Sequence, residues 1–193
     1  MQNISIESNI KYLERYIAYT AQNFDPERAF DHLLPVLGEA LQCDRIFLYL
    51  RSPHYRIGRV PFCWRSRNDV PEIYNAMWNV EPPKLAHQDP LFAAALKTEP
   101  TQFIENVETA DPSVVNSHFE ARNFGHRALI HAHLCHNGKL WGIFQPCVFH
   151  TPRRWSPSDR LLVHQVVYWF TPLAVKYVNQ SINQDVLEAV HDR

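Results

Sequence analysis

A tight turn at Asn137-Gly138 constrains the fold of this chain more than any other feature of its sequence. Both residues accept the positive φ angles of a type I′ turn, and they separate two apolar runs, residues 127–136 and 139–149. We therefore predict a β-hairpin. Both runs are apolar at successive positions, so we expect both faces of the hairpin to be covered. We expect helices against one face and a pocket along the other.

The charge balance argues against several classes of partner. The 193 residues include 19 basic and 20 acidic side chains, a formal net charge of −1, which offers no electrostatic basis for binding nucleic acid. No apolar run reaches transmembrane length, and the N-terminus lacks the apolar core of a signal peptide. We therefore expect a cytoplasmic protein with no membrane insertion. Its four cysteines form no C-x-x-C pair, which favours reduced thiols over disulfides.

Helical periodicity, strand alternation and Asp-Pro or Ser-Pro start signals place the other elements. We predict strands over residues 45–51, 59–66 and 102–105 ahead of the hairpin, and helices over residues 6–22, 26–42, 72–79, 91–97, 112–124 and 156–190. Pro35 is expected to kink or break the second helix, and Pro172 to bend the last. Pro61 predicts an edge or a bulge in its strand. Antiparallel strands with helices at both chain ends indicate an α+β fold.

The residues around the hairpin resemble the GAF domain and, within it, the phytochrome and cyanobacteriochrome branch. The similarity rests on Phe124-Gly125-His126-Arg127-Ala128, Gly138-Lys139-Leu140-Trp141-Gly142-Ile143-Phe144, Pro152-Arg153-Arg154-Trp155 and Cys43-Asp44-Arg45-Ile46. It implies a central antiparallel sheet of five or six strands flanked by helices, with long N- and C-terminal helices. It also implies a ligand pocket between the sheet and the short helices. We assign residues 1–24 to an N-terminal helix, 25–178 to the GAF-like domain and 179–193 to an extension of the last helix.

The resemblance also bears on a cofactor. The pigment-binding branch carries a Cys-His pair, and its cysteine forms a thioether to a linear tetrapyrrole. The matching pair in this sequence is Ser117-His118, which keeps the histidine and lacks the thiol. Cys147 stands where the branch carries a pocket histidine. Because serine cannot form the thioether, a tetrapyrrole here would have to be bound non-covalently, and the cofactor is otherwise unknown.

We predict a ligand-binding set that combines aromatic walls with a few polar groups, as planar ligands require. Its members are His118, His131, His133, Cys147, Trp64, Arg65 and Ser117, with Trp141 beside them. An arginine in such a set could hold a carboxylate in bidentate fashion. The alternative interpretation is a packed core with an exposed arginine, and aromatic burial alone accounts for Trp141.

His131, His133 and Cys135 recur at every second position of a predicted strand, so they point the same way and could supply three zinc ligands. One strand rarely supplies three ligands to a closed site, and we predict hydrogen-bonded histidines without a metal. No local signature joins a cysteine to a histidine and an acid for catalysis. Some GAF proteins reduce free methionine sulfoxide with loop cysteines, whereas Cys135 and Cys147 lie in predicted strands. We therefore predict that the protein is not an enzyme.

We thus predict a non-catalytic GAF-type sensory or regulatory module that binds a small ligand. Because the chain ends soon after its last helix, we expect a signal to leave through protein contacts or dimer geometry. The alternative is a ligand-free interaction or assembly factor, which the bulk of Trp141, Phe144 and Phe149 favours. Apolar stripes on the first and last helices predict a homodimer.

Overall fold

The predicted hairpin lies within a six-stranded antiparallel sheet in the computed structural model, which describes residues 2–191 and the side chains of residues 11–184. In chain order the elements are α1 (Gln2–Asn23), α2 (Pro26–Ala40), β1 (Arg45–Ser52), β2 (Ile57–Arg65), β3 (Asn75–Val80), α3 (Leu85–Gln88), α4 (Pro90–Leu96), β4 (Gln102–Ile104), α5 (Ser117–Asn123), β5 (Ala128–His136), β6 (Lys139–Val148) and α6 (Pro157–His191). The strand order is β3-β2-β1-β6-β5-β4. Asn137 and Gly138 have φ angles of 50° and 68°, as the predicted type I′ turn requires.

The three long helices, α1, α2 and α6, cover one face of the sheet. Their apolar stripes bury alternate residues of β1 and β5, and three phenylalanines from α2, β6 and α6 meet at the centre. The ring centroid of Phe170 lies 5.2 Å from that of Phe30 and 5.5 Å from that of Phe144. Gly38 of α2 lies against the ring of Trp64, which leaves no room for a Cβ atom. The helical layer therefore packs directly on the strands.

The short helices α3, α4 and α5 cover the opposite face. Asp89 caps α4 by accepting a hydrogen bond from the Phe92 backbone N–H at 3.1 Å, as the Asp-Pro signal predicted. Asn116 caps α5 by accepting from the Phe119 N–H at 3.1 Å. The Asn116 amide also donates to the Gln88 carbonyl at 2.9 Å. This bond joins the start of α5 to the end of α3, so the short helices form one connected layer.

Residues 75–80 form a strand, and the helix predicted over residues 72–79 is wrong. Asn79 of this strand, β3, pairs with Gly58 of β2, and Asn75 pairs with Val60. Trp78 packs against the helical core, whereas Met77 and Val80 are exposed. The pairing surface offered by β2 outweighed the local signal of Asp69-Val70-Pro71, as tertiary context often does.

Two further boundaries differ from prediction for local reasons. The helix predicted from residue 112 begins only at Ser117, because the Asp111 carboxylate binds the Ser113 N–H and hydroxyl at 2.8 and 2.7 Å and holds a turn. Pro35 lies inside α2 without ending it, since the buried stripe of the helix stabilises both halves. Pro61 lies in an inner strand beside a register irregularity, so the predicted bulge is confirmed and the predicted edge is wrong.

Among the described residues, no helix is both long enough and apolar enough to span a bilayer.

Candidate functional site

The sheet face beneath α3, α4 and α5 carries most of the buried polar side chains of the domain. The side chains of Ile46, Leu48 and Leu50 pack in the helical core, so the alternating residues of β1 point toward the short helices. These residues are Arg45, Phe47, Tyr49 and Arg51, and they share this face with His131 and His133 of β5 and with Gln145 and Cys147 of β6. The core beneath the long helices is mainly apolar, so the two faces of the sheet differ in character.

Arg45 is the first residue of β1, which lies in the middle of the strand order, and its side chain is fully buried on this polar face. Its guanidinium carbon lies 5.6 Å from the ring centroid of Phe47 and 4.9 Å from that of Phe149, so the two rings enclose the cation. Its Nη1 donates to the Pro71 carbonyl at 2.8 Å and its Nη2 to the Phe124 carbonyl at 3.4 Å. The Nε–H is buried and has no acceptor among the described residues, although the Cys147 thiol, whose sulfur is only a weak acceptor, lies close to the guanidinium. One hydrogen-bond donor of a buried cation is therefore left open.

A chain of polar contacts runs from Arg45 through His126 to Glu120. Arg45 Nη2 lies 3.5 Å from His126 Nδ1, and His126 Nε2 lies 2.7 Å from Glu120 Oε2. Since a guanidinium can only donate, Nδ1 accepts and Nε2 carries the proton that is donated to the carboxyl. Burial, with the charge of Arg45, lowers the pKa of His126 to about 3, so the imidazole is neutral.

Two buried carboxyl groups lie at the end of this chain. Burial raises the pKa of Glu120 to about 7. Burial, together with the charge of Glu120, raises the pKa of Asp89 to about 7. Both groups therefore titrate near neutral pH, in contact with a cluster that contains a permanent cation.

His131 and His133 form the second polar group, and their ring nitrogens bind each other. His133 Nδ1 lies 2.7 Å from the Glu99 carbonyl, which can only accept, so Nδ1 carries the proton. His133 Nε2 then accepts from His131 Nδ1 at 2.9 Å. Burial lowers the pKa of both histidines, so both are neutral. Neither nitrogen of His133 has a lone pair free for a metal, and the described residues contain no group of three side chains placed to hold one.

A buried ion pair closes the other end of the face. Arg51 donates to both carboxylate oxygens of Glu81, through Nε at 2.5 Å and Nη2 at 3.1 Å. Tyr49 donates its hydroxyl to Glu81 Oε1 at 3.0 Å. Because Glu81 directly follows β3, this pair fixes the start of the segment that leads to α3.

The predicted ligand-binding residues do not all come together. His131, His133 and Cys147 are buried on the polar face. Ser117 and His118 are exposed at the start of α5. The remaining two lie at the end of β2: Trp64 packs on Gly38 in the helical layer, and Arg65 donates to the Asn68 and Val70 carbonyls at 3.3 and 3.0 Å. Trp141 is 7% exposed in the helical core, as the structural interpretation predicted.

The cysteines are poor nucleophiles. All four are free thiols. Burial raises the pKa of Cys135 to about 11. It raises the pKa of Cys147 to about 12, although the nearby charge of Arg45 acts to lower it. Because the thiolate is the reactive form, neither side chain is activated for chemistry at neutral pH.

Sequence reasoning missed Arg45, His126, Glu120 and Asp89. A signal for the first was present in residues 45–51, RIFLYLR, where charged and aromatic residues alternate with aliphatic ones. Such alternation places Arg45, Phe47, Tyr49 and Arg51 on a single face of the strand. The other three lie on loops and short helices, and their convergence depends on the tertiary fold.

This chain belongs to the GAF domain family, since the sequence profile of the GAF domain matches residues 25–170. Its fold is similar to the chromophore-binding domain of an unusual bacteriophytochrome from R. palustris, with a TM-score of 0.70 and 18% identity over 90% of this chain. This chain spans 63% of that domain's length. It is also similar to the phycocyanobilin-bound GAF domain of a cyanobacterial phytochrome, with a TM-score of 0.63 and 20% identity over 93% of this chain and 96% of that one.

A further similarity is to the GAF domain of an Acinetobacter phosphoenolpyruvate-protein phosphotransferase, with a TM-score of 0.65 and 11% identity over 90% of this chain and 97% of that one. No curated protein matches the sequence. The predicted family and the predicted α+β fold are confirmed, and identities this low show the fold alone. GAF domains are typically sensory or regulatory, and this general description applies to the chain.

Proposed function

We propose that this chain is a non-catalytic sensory or regulatory GAF module that binds a small ligand on the sheet face beneath α3, α4 and α5. The supporting observation is the buried Arg45 with its open Nε–H, next to His126, Glu120 and Asp89. Buried polar groups normally have partners, so a donor without an acceptor at the centre of a polar face favours a ligand there. Arg45 would hold a negatively charged group of that ligand.

A linear tetrapyrrole is one ligand that this proposal includes, bound without a covalent bond. Biliverdin, phycocyanobilin and phycoerythrobilin are bound by proteins of similar fold. In this chain Ser117 cannot form the thioether, and burial keeps Cys147 in its thiol form. Arg45 would hold a carboxylate side chain of such a pigment. A bulky pigment would have to displace Phe47 or Phe149 from the guanidinium.

The second candidate is a ligand-free interaction or assembly factor, and a specific observation favours it. The centre of the polar face is filled by the chain's own side chains, because the rings of Phe47 and Phe149 enclose Arg45 and the ring of Phe124 stacks on both Phe47 and His126 at 5.8 and 5.4 Å. A face packed in this way would serve as a rigid scaffold for a protein partner.

We further propose that the chain acts in the cytoplasm as a homodimer. The four free thiols are consistent with a reducing compartment. Tyr12 and Tyr19 lie seven residues apart on α1 and are 74% and 60% exposed, a spacing that places them on one side of the helix. α6 continues beyond the matched family region to His191. These helices offer the surface through which a signal would leave.

Native mass spectrometry of the purified protein tests the ligand and the dimer together. The proposal expects a bound mass in addition to the chain and a mass of two subunits. For the tetrapyrrole, the protein is co-expressed with the pigment, and an absorption band in the visible is expected. Absence of any bound mass and of any band under saturating pigment would refute ligand binding. A reproducible protein partner recovered with no small molecule would instead support the second candidate.

A further inference from the structure

A cleft lies on the opposite side of the sheet from the polar face. It has a volume of about 680 Å³ and opens between the start of α2, the inner strand β2, the edge strand β3 and the C-terminal half of α6. Arg59 lies at its inner wall and belongs to the helical face, since it pairs with Leu50, which is buried in the helical core. This cleft is therefore separate from the candidate site already described.

Arg59 is held by two aromatic rings and two hydroxyl groups. Its guanidinium carbon lies 4.6 Å from the ring centroid of Trp78 and 5.1 Å from that of Tyr177. Its Nη2 donates to the Tyr177 hydroxyl at 2.7 Å and to the Ser181 hydroxyl at 2.5 Å, and its Nη1 donates to the Ala76 carbonyl at 2.9 Å. These contacts tie β3 to α6 through one side chain.

Several hydrogen-bond donors at this wall have no acceptor. Ser181 Oγ accepts from Arg59 and also from Trp78 Nε1 at 3.2 Å, so its own hydrogen remains to be donated. The Tyr177 hydroxyl likewise accepts from Arg59 and keeps its hydrogen. Neither hydroxyl donates to any of the residues that the structure describes, and the Arg59 Nε–H is buried without an acceptor among them. These three donors lie on neighbouring side chains at one wall of the cleft, and they favour an oxygen-rich anionic group as a partner.

The opposite wall of the cleft carries the opposite charge. Asp25 and Glu27, at the start of α2, line the same cleft and are both exposed on the side chain. A simple anion would be repelled by these carboxylates, and a simple cation would be repelled by Arg59. A molecule that carries both charges can pair with Arg59 at one wall and with the carboxylates at the other. Phe62, Tyr74 and Pro61 provide apolar surface between them.

We propose that this cleft binds a small zwitterion of the free amino-acid class, with an apolar side chain. Its carboxylate would accept from Arg59, Tyr177 and Ser181, and its ammonium group would face Asp25 and Glu27. Because these residues belong to α2, β2 and α6, the bound molecule would bridge the three elements. Ser181 lies beyond the matched family region. Binding of the molecule would therefore affect the C-terminal part of α6, which continues past that region.

The test uses three probes that differ only in charge: L-phenylalanine, 3-phenylpropionate, which lacks the ammonium group, and 2-phenylethylamine, which lacks the carboxylate. Titrations of the full chain are followed by two-dimensional ¹H–¹⁵N NMR. We expect L-phenylalanine to shift resonances of β2, β3 and α6, and to bind about tenfold more tightly than either analogue, as loss of one charged hydrogen-bonded group implies.

Variants of each wall separate the two charges. Ser181→Ala and Tyr177→Phe each remove one hydroxyl donor. Each should weaken the binding of L-phenylalanine and 3-phenylpropionate by about three- to tenfold and leave the binding of 2-phenylethylamine unchanged. Glu27→Gln should weaken L-phenylalanine and 2-phenylethylamine and leave 3-phenylpropionate unchanged. Glu39→Gln removes an exposed carboxylate of α2 away from the cleft and serves as the control.

Three outcomes would overturn the proposal. The first is equal affinity for the three probes. The second is no shift of cleft resonances up to about 10 mM probe, which is about ten times a dissociation constant of 1 mM. The third is a response confined to α3, α4 and α5, which would assign the probe to the polar face. Because the proposed function concerns that other face, either proposal can fail without the other.

Discussion

Replacing Glu120 with glutamine tests the buried polar cluster directly. The side chain is 2% exposed, and burial raises the pKa of its carboxyl from 4.5 to about 7. A shift of this size corresponds to about 3 kcal/mol between the two protonation states. Because the folded protein holds the proton more tightly than the unfolded chain, the contribution of Glu120 to stability is full below pH 4.5 and is lost as the pH rises to about 7.

Glutamine keeps the shape of the side chain and an acceptor for His126 but cannot ionise. We therefore expect Glu120→Gln to exceed the free energy of unfolding of the parent protein by less than about 1 kcal/mol near pH 5 and by about 3 kcal/mol near pH 8. The buried histidines His126, His131 and His133 have lowered pKa values and act in the opposite direction. Both proteins contain them, so their effect largely cancels in the difference.

Urea unfolding followed by circular dichroism at intervals between about pH 5 and pH 8 measures this difference. Glu39→Gln, at an exposed position of α2, is the matched control and should track the parent at every pH. A Glu120→Gln protein that is less stable than the parent near pH 8 would refute the reasoning. That result would mean that Glu120 is ionised in the folded protein and is held by the charge of Arg45 through His126.

Three further changes probe other parts of the fold. Gly38→Ala should lower the free energy of unfolding by about 1–3 kcal/mol, because the added Cβ meets the ring of Trp64, and an unchanged urea midpoint would contradict this. Asn75→Ala combined with Asn79→Ala should promote self-association. The side chains of Asn75 and Asn79 bond the backbone N–H and C=O of Met77 on the edge strand, and their loss would free these groups to pair with a second chain. An unchanged sedimentation coefficient at all concentrations would argue against that role. Ser117→Cys should convert bound tetrapyrrole into a covalent adduct, because it restores the thiol of the Cys-His pair that Ser117-His118 resembles, and absence of pigment from the protein band on a denaturing gel would count against it.

The parts of the fold that could be predicted are those that local chemistry determines. The positive φ angles of Asn137 and Gly138 and the cap at Asp89 follow from a few adjacent residues. Strand β3 could not be predicted in this way, because its pairing partner lies in β2 and its local signals favour a helix. The polar cluster was missed for the same reason, since Arg45 and His126 lie 81 residues apart and only the sheet brings them together.

The charge balance of the polar face connects the Glu120 experiment to the question of function. Arg51 is neutralised by Glu81, which leaves Arg45 as a buried cation that is linked to Glu120 through His126, with Asp89 beside Glu120. Because the raised pKa values of these acids are about 7, both are largely protonated below neutral pH; Arg45 then lacks a counter-charge, and an anionic ligand would supply it. If Glu120 is instead ionised, the charges balance within the chain and the face needs no ligand. A gain of stability near pH 8 in Glu120→Gln therefore favours the ligand-binding module, and a loss favours the ligand-free scaffold.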